Sequence, residues 1–173
     1  MNSGPKYHHH DHDNKCPVRG LTLLRVNSGT LGPTTFDFFT TPQTITGINQ
    51  PITSVSINAE NLRSPIILIR FWGTLTATAL AAVNAVYTFS LIRTFRSTDS
   101  QETLATFTVA QQIAVVGLPD SRSLDFAFVD CFVDCDGCAT YTLELTSVNS
   151  TVALSFDVAF TGTISVLAVE SDC

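Results

Sequence analysis

Apolar residues in this chain recur at every second position over short stretches, and turn formers interrupt the stretches roughly every 8–12 residues. A period of two turns alternate side chains to opposite faces of an extended strand. A helix needs a period near 3.6, so this pattern excludes helical packing for most of the chain. The clearest case is "SLDFAFVDCFV" (123–133) followed by "TYTLELTSV" (140–148). Leu124, Phe126 and Phe128 are expected to face inward, as are Ala139, Tyr141, Leu143 and Leu145. Thr140, Thr142, Glu144 and Thr146 then face solvent.

Further strands are expected at 21–26, 35–40, 52–60, 66–75, 85–95 and 103–109. The run 152–169 is long enough to bend at Gly162 and serve as two. "NSGTLGP", "GINQP", "STDSQ" and "GLPDSRS" punctuate them with Gly, Pro, Asn, Asp and Ser. Thr, Val, Ile and Phe dominate the runs, and these residues favour a pleated surface. Only 76–86 has helix-friendly content, without a cap. The expected architecture is all-β, a jelly-roll-like antiparallel sandwich built from residues 18–173. Residues 1–17 are polar and aperiodic, closed by Cys16 and Pro17, and are expected to form an N-terminal connector.

The 173 residues are 45% hydrophobic and only 14% charged, which is incompatible with a disordered chain. Thr, Ser, Asn and Gln supply the surface in place of ions, so little repulsion opposes self-association. The net charge of −6 and the lack of a basic stripe exclude a nucleic-acid partner. The longest apolar run, Ile66 to Leu75, is too short for a membrane helix and is interrupted by Arg70. The N-terminus lacks the apolar core of a secretory signal, so cell lysis or a non-standard route is the expected way outward.

Catalytic groups are sparse. His8, His9, His10 and His12 all lie in the connector, which leaves no imidazole in the body to activate Ser or Cys. The acids Asp37, Glu60, Asp125 and Asp157 occupy strands without forming a readable pair. A non-enzymatic role is expected. Trp72 reads as core; in an exposed groove it would instead offer a stacking platform for sugar.

"DCFVDCDGC" (130–138) is the densest chemistry in the chain. If "DCDG" closes a hairpin, Val133 pairs with Cys138, and Cys131 and Cys138 become diagonal neighbours on the outer face. Diagonal positions lie farther apart than a disulfide allows without strong twist or a bulge. C-x3-C-x2-C also matches the cluster motif of radical enzymes that use S-adenosylmethionine, but those are α/β barrels. Zinc on Cys131, Cys135 and Cys138 would need a fourth ligand, for which the histidines are candidates. Asp130, Asp134 and Asp136 resemble a fragment of a calcium loop without its distal acid. The histidine-rich connector is itself a candidate metal site or a solvated linker, and no other cofactor is indicated. Cross-linking is the fourth reading. Five cysteines cannot all pair within one chain. Cys16, Cys135 and Cys173 are therefore candidates for bonds to another copy.

"FAFVDCFVDCDGCATYTLELT" resembles a clostridial cysteine-rich domain family of unknown function. Its members carry a Phe-rich strand, a Cys/Asp-rich hairpin and a "TYTVEVT"-like strand. "RGLTLLRVNSGT" (19–30) resembles that family's opening strand, with Val26 where a cysteine often stands. The family is similar in layout to subunits of bacterial endospore appendages, jelly-roll proteins whose connector cysteines bond neighbouring subunits. The resemblance implies an extracellular or spore-surface fibre subunit, a homopolymer joined by strand pairing and connector disulfides. The alternative is a surface binding module, lectin-like or a metal-binding coat protein.

Overall fold

The structure, a computed structural model, describes residues 22–39, 43–62, 64–96, 98–114, 116–131 and 138–170. They form eight strands: β1 (Thr22–Asp37), β2 (Gln43–Asn58), β3 (Ile66–Ala79), β4 (Val83–Phe95), β5 (Gln101–Ile113), β6 (Asp120–Cys131), β7 (Cys138–Ser150) and β8 (Ser155–Val169). Among the described residues no helix is long and apolar enough to cross a membrane.

Two four-stranded antiparallel sheets result, in the orders β1-β8-β3-β6 and β2-β7-β4-β5. This is the jelly-roll arrangement. Only β4 and β5 are neighbours both in sequence and in a sheet; every other connection crosses to the opposite layer. The helix-friendly stretch 76–86 ends β3, turns at 80–82 and begins β4, with Ala77, Ala79 and Ala85 buried at alternate strand positions.

Two expected interruptions are absent. "NSGTLGP" lies inside β1, which stays paired with β8 on both sides of a bulge between Leu31 and Thr34. Gly32 there has φ +93°, a conformation costly for other residues, and precedes a cis proline. Gly162 likewise leaves β8 unbroken. It sits opposite Gly29 on one side and Gly73 on the other, so three glycines cross the sheet in one row.

The core fills the space between the sheets, and half-buried Phe126 closes it at the β5–β6 flank. Its ring stacks on Phe107 at 4.6 Å and on Phe71 at 5.8 Å, and meets Phe89 at 5.5 Å. Phe89 in turn meets Phe160 edge-on at 5.4 Å. Edge-on and offset pairs of this kind contribute beyond area burial.

The two flanks differ. At the β1–β2 flank Gly29 lies directly against the Ile52 carbonyl, and Asn27 Nδ2 donates to the Ser54 carbonyl oxygen at 2.7 Å. At the β5–β6 flank Gln111 Nε2 donates to the Asp120 carbonyl at 3.0 Å, and Arg122 donates to the Ala110 carbonyl. Between this tie and the far end, half-buried Phe107, Phe126 and Phe128 fill the gap.

The glycine row is a packing requirement. A Cβ at Gly162 would enter the Phe71 ring, with Cε2 only 2.6 Å away. Gly162→Ala is expected to cost about 1–3 kcal/mol through overpacking. Urea unfolding checks it: an unchanged midpoint would show that Phe71 can move aside.

Candidate functional site

The end of the sandwich where β6 stops and β7 begins holds the two described cysteines, Cys131 and Cys138, and a buried ion pair. Alternation along β6 turns Asp130 inward and Cys131 outward. Asp130 is buried between the sheets, where Arg93 Nη1 of β4 donates to both carboxylate oxygens at 2.8 and 2.7 Å. The Tyr141 hydroxyl of β7 donates to Asp130 Oδ2 at 2.8 Å. Arg93 also pairs with Glu102 of β5 at 2.5 Å, and its guanidinium lies 4.6 Å over the Phe95 ring. One buried carboxylate thus ties β6 of one sheet to β4, β5 and β7 of the other.

The electrostatics are consistent with a fixed clamp. Burial works to lower the Arg93 pKa, but Asp130 and Glu102 outweigh it and hold the guanidinium charged. Burial raises the Tyr141 hydroxyl far above its ordinary value, and the Asp130 charge adds to the effect. Breaking a buried pair strands a charge, so such groups act together.

This geometry corrects the hairpin expectation. β6 pairs only with β3, while β7 pairs with β2 and β4, so the segment between them crosses from one sheet to the other. Cys131 and Cys138 are therefore not cross-strand neighbours, and both are free thiols. Cys131 is exposed; Cys138 is half-buried, its Sγ 3.7 Å from Glu60 Oε1. Asp130 is also removed from the calcium reading, since its oxygens are engaged by Arg93 and Tyr141. Its proposed co-ligands Asp134 and Asp136, the histidines His8, His9, His10 and His12, and the cysteines Cys16, Cys135 and Cys173 lie outside the described residues. Among the described residues no group of three metal-ligating side chains converges.

Beside Cys138, on the outer face of the β2-β7-β4-β5 sheet, lies a groove of about 560 Å³. Ser56, Asn58, Thr94 and Thr140 give it a polar floor, and Arg25, Arg96 and Asp99 line it as well.

Sequence reasoning missed two features. Trp72 is not core: it is 44% exposed on the outer face of the other sheet. It projects beside an ion pair in which Arg70 Nη2 lies 2.8 Å from Asp125 Oδ2. The hydrogen bond from Arg70 holds the Asp125 pKa below its ordinary value. The buried clamp was the second omission, and its only signal was an acid in an inward-facing position.

The family model of a domain of unknown function, DUF4489, matches residues 22–169, so the chain belongs to that family. No curated protein matches it. Three solved structures show the range of structural similarity. The T13 particle of infectious bursal disease virus is 16% identical at a TM-score of 0.43, over 85% of this chain and 35% of that one. Desmodium yellow mottle tymovirus is 10% identical at 0.32, over 99% of both chains. The latent PorU dimer of Porphyromonas gingivalis is 13% identical at 0.40, over 89% and 13%. The chain spans about a third of the length of the bursal-virus chains it resembles.

Two buried tyrosines, Tyr141 of the clamp and Tyr87 elsewhere in the core, give the fold a pH signature. Tyr141 and Tyr87 both keep their protons in the folded state at pH values where an unfolded tyrosine has lost its own. Their contribution is whole below about pH 10 and falls as pH rises, by about 1.4 kcal/mol per pH unit for each tyrosine. Tyr141→Phe is expected to cost about 1–2 kcal/mol at neutral pH, since Asp130 loses a donor, and to halve that alkaline slope. Urea midpoints from about pH 8 to about pH 11 test both effects. An unaltered slope would count against the assignment.

Proposed function

We propose that this member of the DUF4489 family is a structural subunit of an extracellular or spore-surface fibre. Copies assemble by edge-to-edge strand pairing, and cysteines then lock the contact. The observation that carries the reading is β6. It is an edge strand of 12 residues, paired with β3 in unbroken register over its whole length. It contains no proline and no bulge. Soluble proteins usually blunt such an edge, because its free N–H and C=O groups template another chain.

The opposite flank offers the complementary edge. There β1 has a ladder on one side only, with β8, whereas the free side of β2 is covered by β1 at its Ile52 and Ser54 carbonyls. β6 to β6 pairing would close a dimer, whereas β6 to β1 pairing is heterologous and leaves a fresh edge after each addition. An open fibre follows from that asymmetry.

The cysteines fit the same scheme. Cys131 is exposed at the end of the pairing strand, and Cys138 borders the groove flanked by Arg25 and Arg96. Residues 1–16 contain Asp11 and Asp13 and reach about 50 Å if extended. That reach lets a neighbour's connector laid in the groove deliver Cys16 to this end. A disulfide formed there turns subunit loss into a chemical step.

Two results are expected. Ser121→Lys with Ser123→Lys, placed outward on β6, should prevent long fibres yet leave the melting temperature within a few degrees. Lysine on an edge strand opposes pairing. Subunits of light and heavy isotope, mixed before assembly, should give mixed disulfide peptides containing Cys16 on non-reducing mapping. Cys16 recovered only as a free thiol in intact fibres refutes the connector role, and fibres unaffected by the lysines refute the edge.

A further inference from the structure

Antiparallel sandwiches normally turn apolar residues inward and polar ones out. The β2-β7-β4-β5 sheet obeys this: Ser56, Thr140 and Thr94 form one of its outer rows. Half of the β1-β8-β3-β6 sheet does not. Register places Leu24, Leu167, Leu68 and Val129 side by side across all four strands on its outer face. Leu24 is 58% exposed and Val129 55%. Exposed Ile66 and Val169 stand in the next row toward the Cys131 end. On the other side follow Val26 and then Trp72. Beyond Trp72 the face reverts to hydroxyls, with Thr30, Thr161, Thr74 and Ser123 in one row.

We infer that this apolar half-face is a self-association surface whose occupant is the same face of a second copy. Area is the first argument. Four strands about 4.8 Å apart and four rows about 6.8 Å apart give roughly 500 Å², apolar through the two rows nearest Cys131 and at Val26, Ala127 and Trp72, with Ser and Thr between. The largest patch on an ordinary monomer is about 300–600 Å² and often functional. The whole outer face, about 14 residues long, approaches the roughly 800 Å² per partner of a stable interface.

Charge is the second argument, and it selects a copy over an unrelated partner. The chain carries −6 overall, yet the only charged residues of these four rows are Arg70 and Asp125, already paired with each other. A second copy therefore meets no uncompensated like charge, and a two-fold axis requires that self-complementarity. Two sheets can then pack face to face about 10 Å apart, as they do inside the sandwich. This contact uses the sheet's face, whereas the proposed fibre contact uses its edge, so the two inferences stand separately.

Trp72 is the chain's single tryptophan, and it reports on this face directly. The experiment measures acrylamide quenching of Trp72 and sedimentation in reductant. It uses the full-length chain without lysines on β6, since Ser121 and Ser123 belong to the same outer face, and sedimentation resolves dimers from fibres. As concentration rises about a hundredfold across the dimer Kd, the quenching constant should fall about threefold while the mass doubles. Leu68→Glu should abolish both changes, with an unaltered circular dichroism spectrum. Leu24→Lys on β1 should do the same and serves if Leu68→Glu fails to fold. Equal quenching at every concentration, or dimers that survive both substitutions, overturns the inference. So does protection of Trp72 by cellohexaose in dilute monomer, which would make the face a sugar platform.

Discussion

The apolar layer between the sheets is the interaction on which the remaining structure depends. Only β4 and β5 form a local hairpin, so every other ladder joins strands distant in sequence. Side chains packed between the sheets hold those distant strands together. Phe126 shows how this works, because its ring touches Phe71 within its own sheet and Phe89 and Phe107 across the gap. Such non-local topology folds slowly, since loop closure precedes most of the gain.

Alternation made much of this legible. Leu124 is buried and Phe126 and Phe128 half-buried from β6, and Ala139, Tyr141, Leu143 and Leu145 are buried from β7, as a period of two requires. Sheet membership was not legible. An alternating strand, a short loop and another alternating strand read the same whether the loop is a hairpin or a crossover. The assignment of Cys131 and Cys138 to one face failed for that reason. Turn residues misled where their conformations served another purpose. Gly32 and Pro33 make a bulge inside β1, and Gly162 makes room for Phe71 rather than a bend. Trp72 was misplaced because bulk argues for burial, whereas parity with buried Phe71 turns it outward.

Asp130 and Cys131 illustrate how strand geometry divides labour between adjacent residues. Parity sends the carboxylate into the sandwich and the thiol out of it. The inward residue then fixes the outward one, since Asp130 is held by Arg93 and Tyr141 from the opposite sheet. A strand end would otherwise fray. The clamp costs desolvation, and a well-packed apolar pair in its place is often no less stable. Its return is positional: the point where the chain leaves one sheet for the other is anchored to three strands at once.

The same economy extends over the surface. Among the described arginines, Arg70 and Arg93 are paired with acids and Arg122 with a backbone carbonyl. Arg25 and Arg96 both border the groove beside Cys138. Few charges elsewhere would keep copies apart, so the associations proposed above would be governed by shape and by unsatisfied backbone. An edge strand satisfies its backbone groups by adding a strand, and an apolar face satisfies its surface by gaining a cover. Edge and face of the β1-β8-β3-β6 sheet point in perpendicular directions, so occupying one leaves the other open. A subunit with both proposed contacts would extend along one axis and thicken along another, and the proposed disulfides would need to fix only the first.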